Sequence, residues 1–171
     1  YMKEAISEPC NEEQLEAAEK ALRAKLNSLS LVQPEGTFRT ARKEAAKLFD
    51  RKILFTENPR KVESVVFTKE GYRIKIEAVI NGEQKTLYAS YKAWKRNNLY
   101  PDDFTKKYQS VAYAMDAEAL YLSVGLINTS YKEEYSLWVN SEDKVIATWR
   151  PNVTYLPEEP DMVWKFTGTF E

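Results

Sequence analysis

The chain of 171 residues has no histidine, a single cysteine, five scattered glycines and no apolar run of membrane-spanning length. Without histidine there is no Ser-His-Asp triad, no Cys-His pair, no histidine general base and no histidine-ligated zinc or haem. One cysteine cannot close an internal disulfide, so no disulfide framework points to secretion. Cys10 follows Pro9, has no basic neighbour close in sequence, and reads as a passive thiol. Gly36, Gly71, Gly82, Gly125 and Gly168 stand singly, which leaves no glycine-rich phosphate loop. The longest apolar stretches, such as Ala119-Leu120-Tyr121-Leu122, are far too short to cross a bilayer. A net charge of −1 gives no global drive onto nucleic acid or an anionic membrane. Tyr1 is no initiator, so the sequence is read as processed, excised from something longer, or carrying an artificial residue ahead of Met2.

Hydrophobic residues make up 43% and charged residues 30%, the balance of a globular protein, and the length suits a single domain. Residues 1–58 read as a helical part and 59–171 as an antiparallel, β-rich part. Asn11 and Gln14 make a capping box ahead of an amphipathic helix over 11–28, with an apolar stripe of Leu15, Ala18, Leu22, Leu26 and Leu29. Pro34-Glu35-Gly36 is a break. Phe38, Ala41, Ala45, Leu48 and Phe49 then predict a second helix over 37–52.

After Asn58-Pro59 the period changes to alternation. Residues 62–68 and 72–80 form a hairpin around Lys69-Glu70-Gly71, and Asn81-Gly82 is a type I′ turn signal leading to a strand at 84–90. Residues 91–97 read as a short helix. Strands follow at about 109–115, 119–128, 133–140, 144–149 and 162–170, with a turn at Asn140-Ser141-Glu142-Asp143. The expected fold is therefore α+β, with two N-terminal helices packed on a curved, mostly antiparallel β-sheet. This order of elements resembles cone-shaped folds such as the NTF2-like class; a small meander barrel with a helical arm is the alternative. Tyr91-Lys92-Ala93-Trp94 with Asn98 and Phe104 is also similar, over fewer than twenty residues, to winged-helix segments at the ends of some phage primases.

Two surfaces carry candidate interaction residues. Arg39, Arg42, Lys43 and Lys47 belong to a run whose local net charge from Arg39 to Lys61 is +5, and Arg39, Lys43 and Lys47 would line one edge of the second helix. Lys92, Trp94, Lys95 and Arg96 interleave charge with aromatics, as do Tyr100 and Phe104 with Lys106 and Lys107, a pattern that suits stacking on bases. The equally simple reading of both is a solvated face opposite a buried one. Nineteen of the 22 aromatics fall after residue 50, and Tyr113, Tyr121, Tyr135, Trp138 and Trp149 are candidates to line a pocket. The acid pairs Asp102-Asp103, Glu133-Glu134, Glu142-Asp143 and Glu158-Glu159 lack metal-loop spacing and read as turn and surface acids. No cofactor and no metal are expected. These features favour a non-catalytic protein-interaction or assembly module, acting through a protein partner or a homo-oligomer. The alternatives are a small-molecule-binding domain with a Tyr- and Trp-lined pocket, and a nucleic-acid binder using the basic second helix.

Overall fold

Strict alternation of apolar and polar side chains sets the architecture. The computed structural model describes residues 11–28, 32–99, 108–153 and 163–171, which fall into two compact units divided after Val32. The first unit holds α1 (Glu12–Ser28). Its start is a reciprocal capping box: the Gln14 amide donates to Asn11 Oδ1 at 2.8 Å and the Asn11 amide to Gln14 Oε1 at 3.2 Å. None of its residues is buried, and Leu15, Leu22 and Leu26 remain exposed.

The second unit contains ten strands: β1 (Lys52–Phe55), β2 (Val62–Glu70), β3 (Arg73–Ile80), β4 (Glu83–Tyr91), β5 (Lys95–Asn98), β6 (Tyr108–Met115), β7 (Ala119–Leu126), β8 (Lys132–Val139), β9 (Val145–Pro151) and β10 (Trp164–Phe170). From β1 to β4 and from β5 to β10 each strand pairs antiparallel with the next, and β1 also pairs antiparallel with β10. The ring closes where β4 runs parallel to β6, through Ser90–Ala112 and Tyr91–Tyr113. Nine strands thus complete a barrel, and β5 lies at the seam, paired with β6. Closure hides the sheet edges that an open meander would leave unpaired.

Ile53, Phe67, Ile74, Val111, Tyr113, Leu120 and Val145 are among the side chains buried inside. A bulge in β2 at Val62/Ser64 shifts the register, so Val62 and Val65 both face inward although three residues apart.

The cone of two helices on a curved sheet is not formed. In place of the second helix, the chain makes an isolated bridge at Phe38, a short 3₁₀ turn over Lys43–Leu48, a second bridge at Phe49, and then β1. Phe38 exchanges backbone hydrogen bonds with Met115, at 2.8 and 3.1 Å, so its amide and carbonyl are committed to the barrel rim and unavailable to a helix. The apolar residues that suggested a helix are still used: Ala45 and Leu48 are buried, and Phe38, Ala41 and Phe49 pack against the core. Residues 91–97 are not helical either. β4 continues to Tyr91, Lys92 turns at φ 43, and its amide donates to the Tyr113 carbonyl at 2.9 Å before β5 begins. The likeness to a winged helix therefore fails over Tyr91–Asn98, and Phe104 lies outside the described residues.

At Asn81-Gly82 both φ angles are positive, 51° and 75°, as a type I′ turn requires. Asp143 closes the β8–β9 turn, donating its amide to the Asn140 carbonyl at 3.1 Å.

Where the chain enters the rim, Gly36 has φ 137, and a Cβ there would lie 2.8 Å from the Met115 carbonyl oxygen. Gly36→Ala is expected to cost ~1–3 kcal/mol through backbone strain alone. Gly71→Ala, at φ 59 with open space around it, should cost only about 1 kcal/mol. Urea unfolding of both variants separates the two; equal losses would remove the steric account of Gly36.

Candidate functional site

The barrel is not filled. A cavity of about 130 Å³ lies within it, walled by Phe67, Ile76, Leu87, Val111, Leu122 and Phe166 among others. One water needs ~10–15 Å³, and an apolar cavity of roughly 150 Å³ is known to stay dry and to take a benzene-sized guest. The space is therefore a ligand-sized void with a mainly apolar wall.

Among the described residues, polar groups enter this wall at one end: Arg60, Gln109, Glu133 and Tyr135. Glu133 and Tyr135 are two residues apart on β8, so they share its inward face with Leu137 and Val139. Arg60 comes from the β1–β2 loop, which Asn58 staples. The buried Asn58 amide donates to the carbonyls of Thr56 and Val62, both at 2.8 Å, and its oxygen accepts from the Val62 amide at 3.1 Å. That fixes the turn from which Arg60 reaches the cavity.

Glu133 is only 4% exposed. Its Oε2 accepts from the Tyr135 hydroxyl at 2.6 Å. Its Oε1 lies 2.8 Å from Arg60 Nη2, an ion-pair distance, but off the hydrogen-bond direction, so among the described residues this oxygen has no hydrogen-bond donor. Arg60 Nε reaches the Tyr135 hydroxyl at 3.4 Å, and its guanidinium sits 5.4 Å from the Trp149 ring centre. Burial pushes the Tyr135 phenol well above its ordinary pKa, with the Glu133 charge adding to the push and Arg60 opposing it. Tyr135 is therefore a protonated donor at neutral pH. Burial opposes the charge on Arg60, yet Tyr135 and Glu133 outweigh it and hold the guanidinium above its usual value. Positive and negative charge cancel within the cluster.

The residues singled out from sequence are dispersed. Of the pocket candidates, Tyr135 lines the cavity. Tyr113 is buried toward the opposite rim, where its hydroxyl donates to the Arg39 carbonyl at 3.1 Å. Trp149 is buried beside Arg60, with its ring centre 4.5 Å from that of Trp164 at a 31° tilt, and among the described residues its Nε1 has no hydrogen-bond partner. Tyr121 donates to Asp116 at 2.6 Å, and burial together with that bond pushes its phenol up to about 12. Trp138 alternates with the inward residues of β8 and lies 5.9 Å beneath Lys165 Nζ.

The basic candidates do not share a helix face. Arg39 lies over Tyr72, Arg42 over Phe38, and Lys47 pairs with Glu44 at 2.6 Å, while Lys43 opens the 3₁₀ turn with φ 49. Lys92 lies in the turn after β4, Trp94 just before β5, and Lys95 and Arg96 within β5. Cys10, Tyr100, Phe104, Lys106, Lys107, Asp102, Asp103, Glu158, Glu159 and Asp161 lie outside the described residues. Among the described residues, no group of three or more acids and cysteine could hold a metal ion.

Arg60 and Glu133 were missed as site residues. Alternation in β8 places Glu133 on the same side as Tyr135, so the signal was present; no sequence pattern points to Arg60.

No family model matches the chain, and no curated protein matches it. Solved structures do, 36 chains in all. One is apo Caenorhabditis elegans lipid binding protein 8, with a TM-score of 0.56 and 7% identity, covering 77% of this chain and 100% of that one. At that identity the likeness establishes the fold, a closed β-barrel, and overturns the helix-on-sheet expectation. It also removes the grounds for an interaction or assembly module, which needed a basic helix face and aromatics free for interfaces. Neither a protein partner nor nucleic acid gains support. Among the described residues, no helix is long and apolar enough to cross a membrane.

Proposed function

We propose that the barrel binds a small, largely apolar molecule in its interior cavity. The observation that carries this is an unfilled space of about 130 Å³ in an otherwise buried core, apolar over most of its wall and polar at one end. Natural interiors are close-packed, so a void of this size has lost contacts that a filled core would have kept. A similar barrel belongs to a protein named for lipid binding, which fits a guest with apolar character. The interaction-module reading is set aside in its favour.

The test is to fill the space. Ala147 is 1% exposed, lines the cavity, and pairs with Leu137 on β8 and Phe166 on β10. The uncharged fluorophore N-phenyl-1-naphthylamine should bind saturably to the unaltered protein. Ala147→Leu should weaken that binding by roughly tenfold or more, a loss of about 1.4 kcal/mol, with the far-ultraviolet circular dichroism unchanged. No saturable binding, or an unaltered affinity in the variant, would defeat the reading.

A further inference from the structure

Among the described residues, the polar end of the cavity is charge-balanced and holds one buried acceptor with no hydrogen-bond donor, Glu133 Oε1, and that combination selects among head groups. Resting on the ligand-binding reading above, we propose that the guest carries a neutral hydrogen-bond donor, a hydroxyl or an amide N–H, directed at Glu133 Oε1, and not a carboxylate or an ammonium.

Among the described residues Glu133 is the only cavity-lining acid, it is 4% exposed, and it comes with its own cation. Tyr135 serves Oε2 at 2.6 Å, and Oε1 is served by no donor. A buried acceptor left without a donor costs free energy that a ligand hydroxyl or amide recovers on binding. A carboxylate faces the opposite situation. To reach Arg60 it must enter beside the Glu133 charge and compete for a guanidinium 2.8 Å from that acid. If it succeeded, Glu133 would be left buried and unpaired, the costliest state for such a group. An ammonium could approach Glu133 but would meet Arg60 at the same short range, and like charges at a few ångströms in a partly desolvated site repel strongly. Only a neutral donor satisfies Oε1 without disturbing the pair. Gln109, the remaining polar wall residue among those described, is uncharged and does not alter this balance.

Displacement of N-phenyl-1-naphthylamine by four probes with one tail tests this: 1-octanol, octanoate, octylammonium and octane, at neutral pH. Octanol should displace the fluorophore at a concentration at least tenfold lower than octanoate or octylammonium, and lower than octane. Glu133→Gln, which keeps the size but supplies its own donor, should shrink the preference for octanol over octanoate to less than threefold. Tyr135→Phe, which frees Oε2 as well, should keep or widen it and serves if Glu133→Gln does not fold. Octanoate or octylammonium equal to octanol, octane equal to all three, or a preference unmoved by Glu133→Gln would overturn this inference while leaving an occupied cavity. Displacement by none of the four would overturn it as well. Failure of the fluorophore itself to bind would instead remove the underlying reading.

Discussion

Asn97→Ala should lower the unfolding free energy by ~2–4 kcal/mol, a large loss for a single substitution. The expectation comes from how the barrel closes. β4 meets β6 in parallel through Ser90 and Tyr91, while β5 pairs with β6 and not with the preceding part of β4. Asn97 links the two. Its Oδ1 accepts from the Tyr88 amide at 2.7 Å, and its Nδ2 donates to the Tyr88 carbonyl at 3.0 Å and the Lys95 carbonyl at 2.9 Å. The side chain thus does for Tyr88 what a neighbouring strand would do. At 8% exposure, water cannot readily replace it. Truncation leaves a donor and two acceptors without partners, each costing ~1–3 kcal/mol, less whatever relaxation recovers. Urea unfolding measures the loss, and amide exchange at Tyr88 should accelerate beyond the global change. A loss under ~0.5 kcal/mol, the range of ordinary surface substitutions, would mean the seam is held some other way.

Phe67→Ala should produce two effects of opposite sign. Phe67 is 2% exposed, lines the cavity, and packs against Phe49 with ring centres 6.3 Å apart. Removing a buried ring typically costs ~3–5 kcal/mol, part of it for the void left behind. Here the new void joins an existing one. Stability in urea should fall by that amount while affinity for N-phenyl-1-naphthylamine holds or rises, because the enlarged space admits the bulky fluorophore more easily. A variant that stays folded yet loses the fluorophore would show that Phe67 contacts the guest and does not merely bound the space. The two measurements together distinguish a wall residue from a structural one.

Much of the barrel was legible as strands. The Asn81-Gly82 turn, the hairpin at Gly71 and the turn beginning at Asn140 were readable because each depends on a few adjacent residues. The second helix was not, for a physical reason. Phe38, Ala41, Ala45, Leu48 and Phe49 recur every three or four residues, and that spacing serves equally a helix or a rim segment with a short 3₁₀ turn. What decides between them is Met115, which takes the Phe38 backbone groups from far along the chain. Closure was hidden for the same reason: the pairing of β1 with β10 and of β4 with β6 leaves no mark in local periodicity.

The polar end of the cavity was half legible. Tyr135 was a pocket candidate, and Glu133 shares its face by simple alternation, but an acid beside Glu134 reads as a surface charge. Glu134 does point outward, bonded to Lys132 and Arg150. The partner that makes Glu133 tolerable inside, Arg60, sits on a loop more than seventy residues earlier, and only the folded barrel brings the two together.

The adjacency of β1 and β10 also governs when the interior becomes a compartment. β1 is flanked by β2, made soon after it, and by β10, the last of the ten strands to leave a ribosome. Until β10 docks, Ile53, Ala147 and the β9 edge have no cover, and the future cavity is an open apolar trough. Pairings of such long sequence separation form slowly and only once the loop entropy has been met. The interior is therefore sealed by a pairing made late in the chain, and the same late step is where unfinished chains would stick to one another.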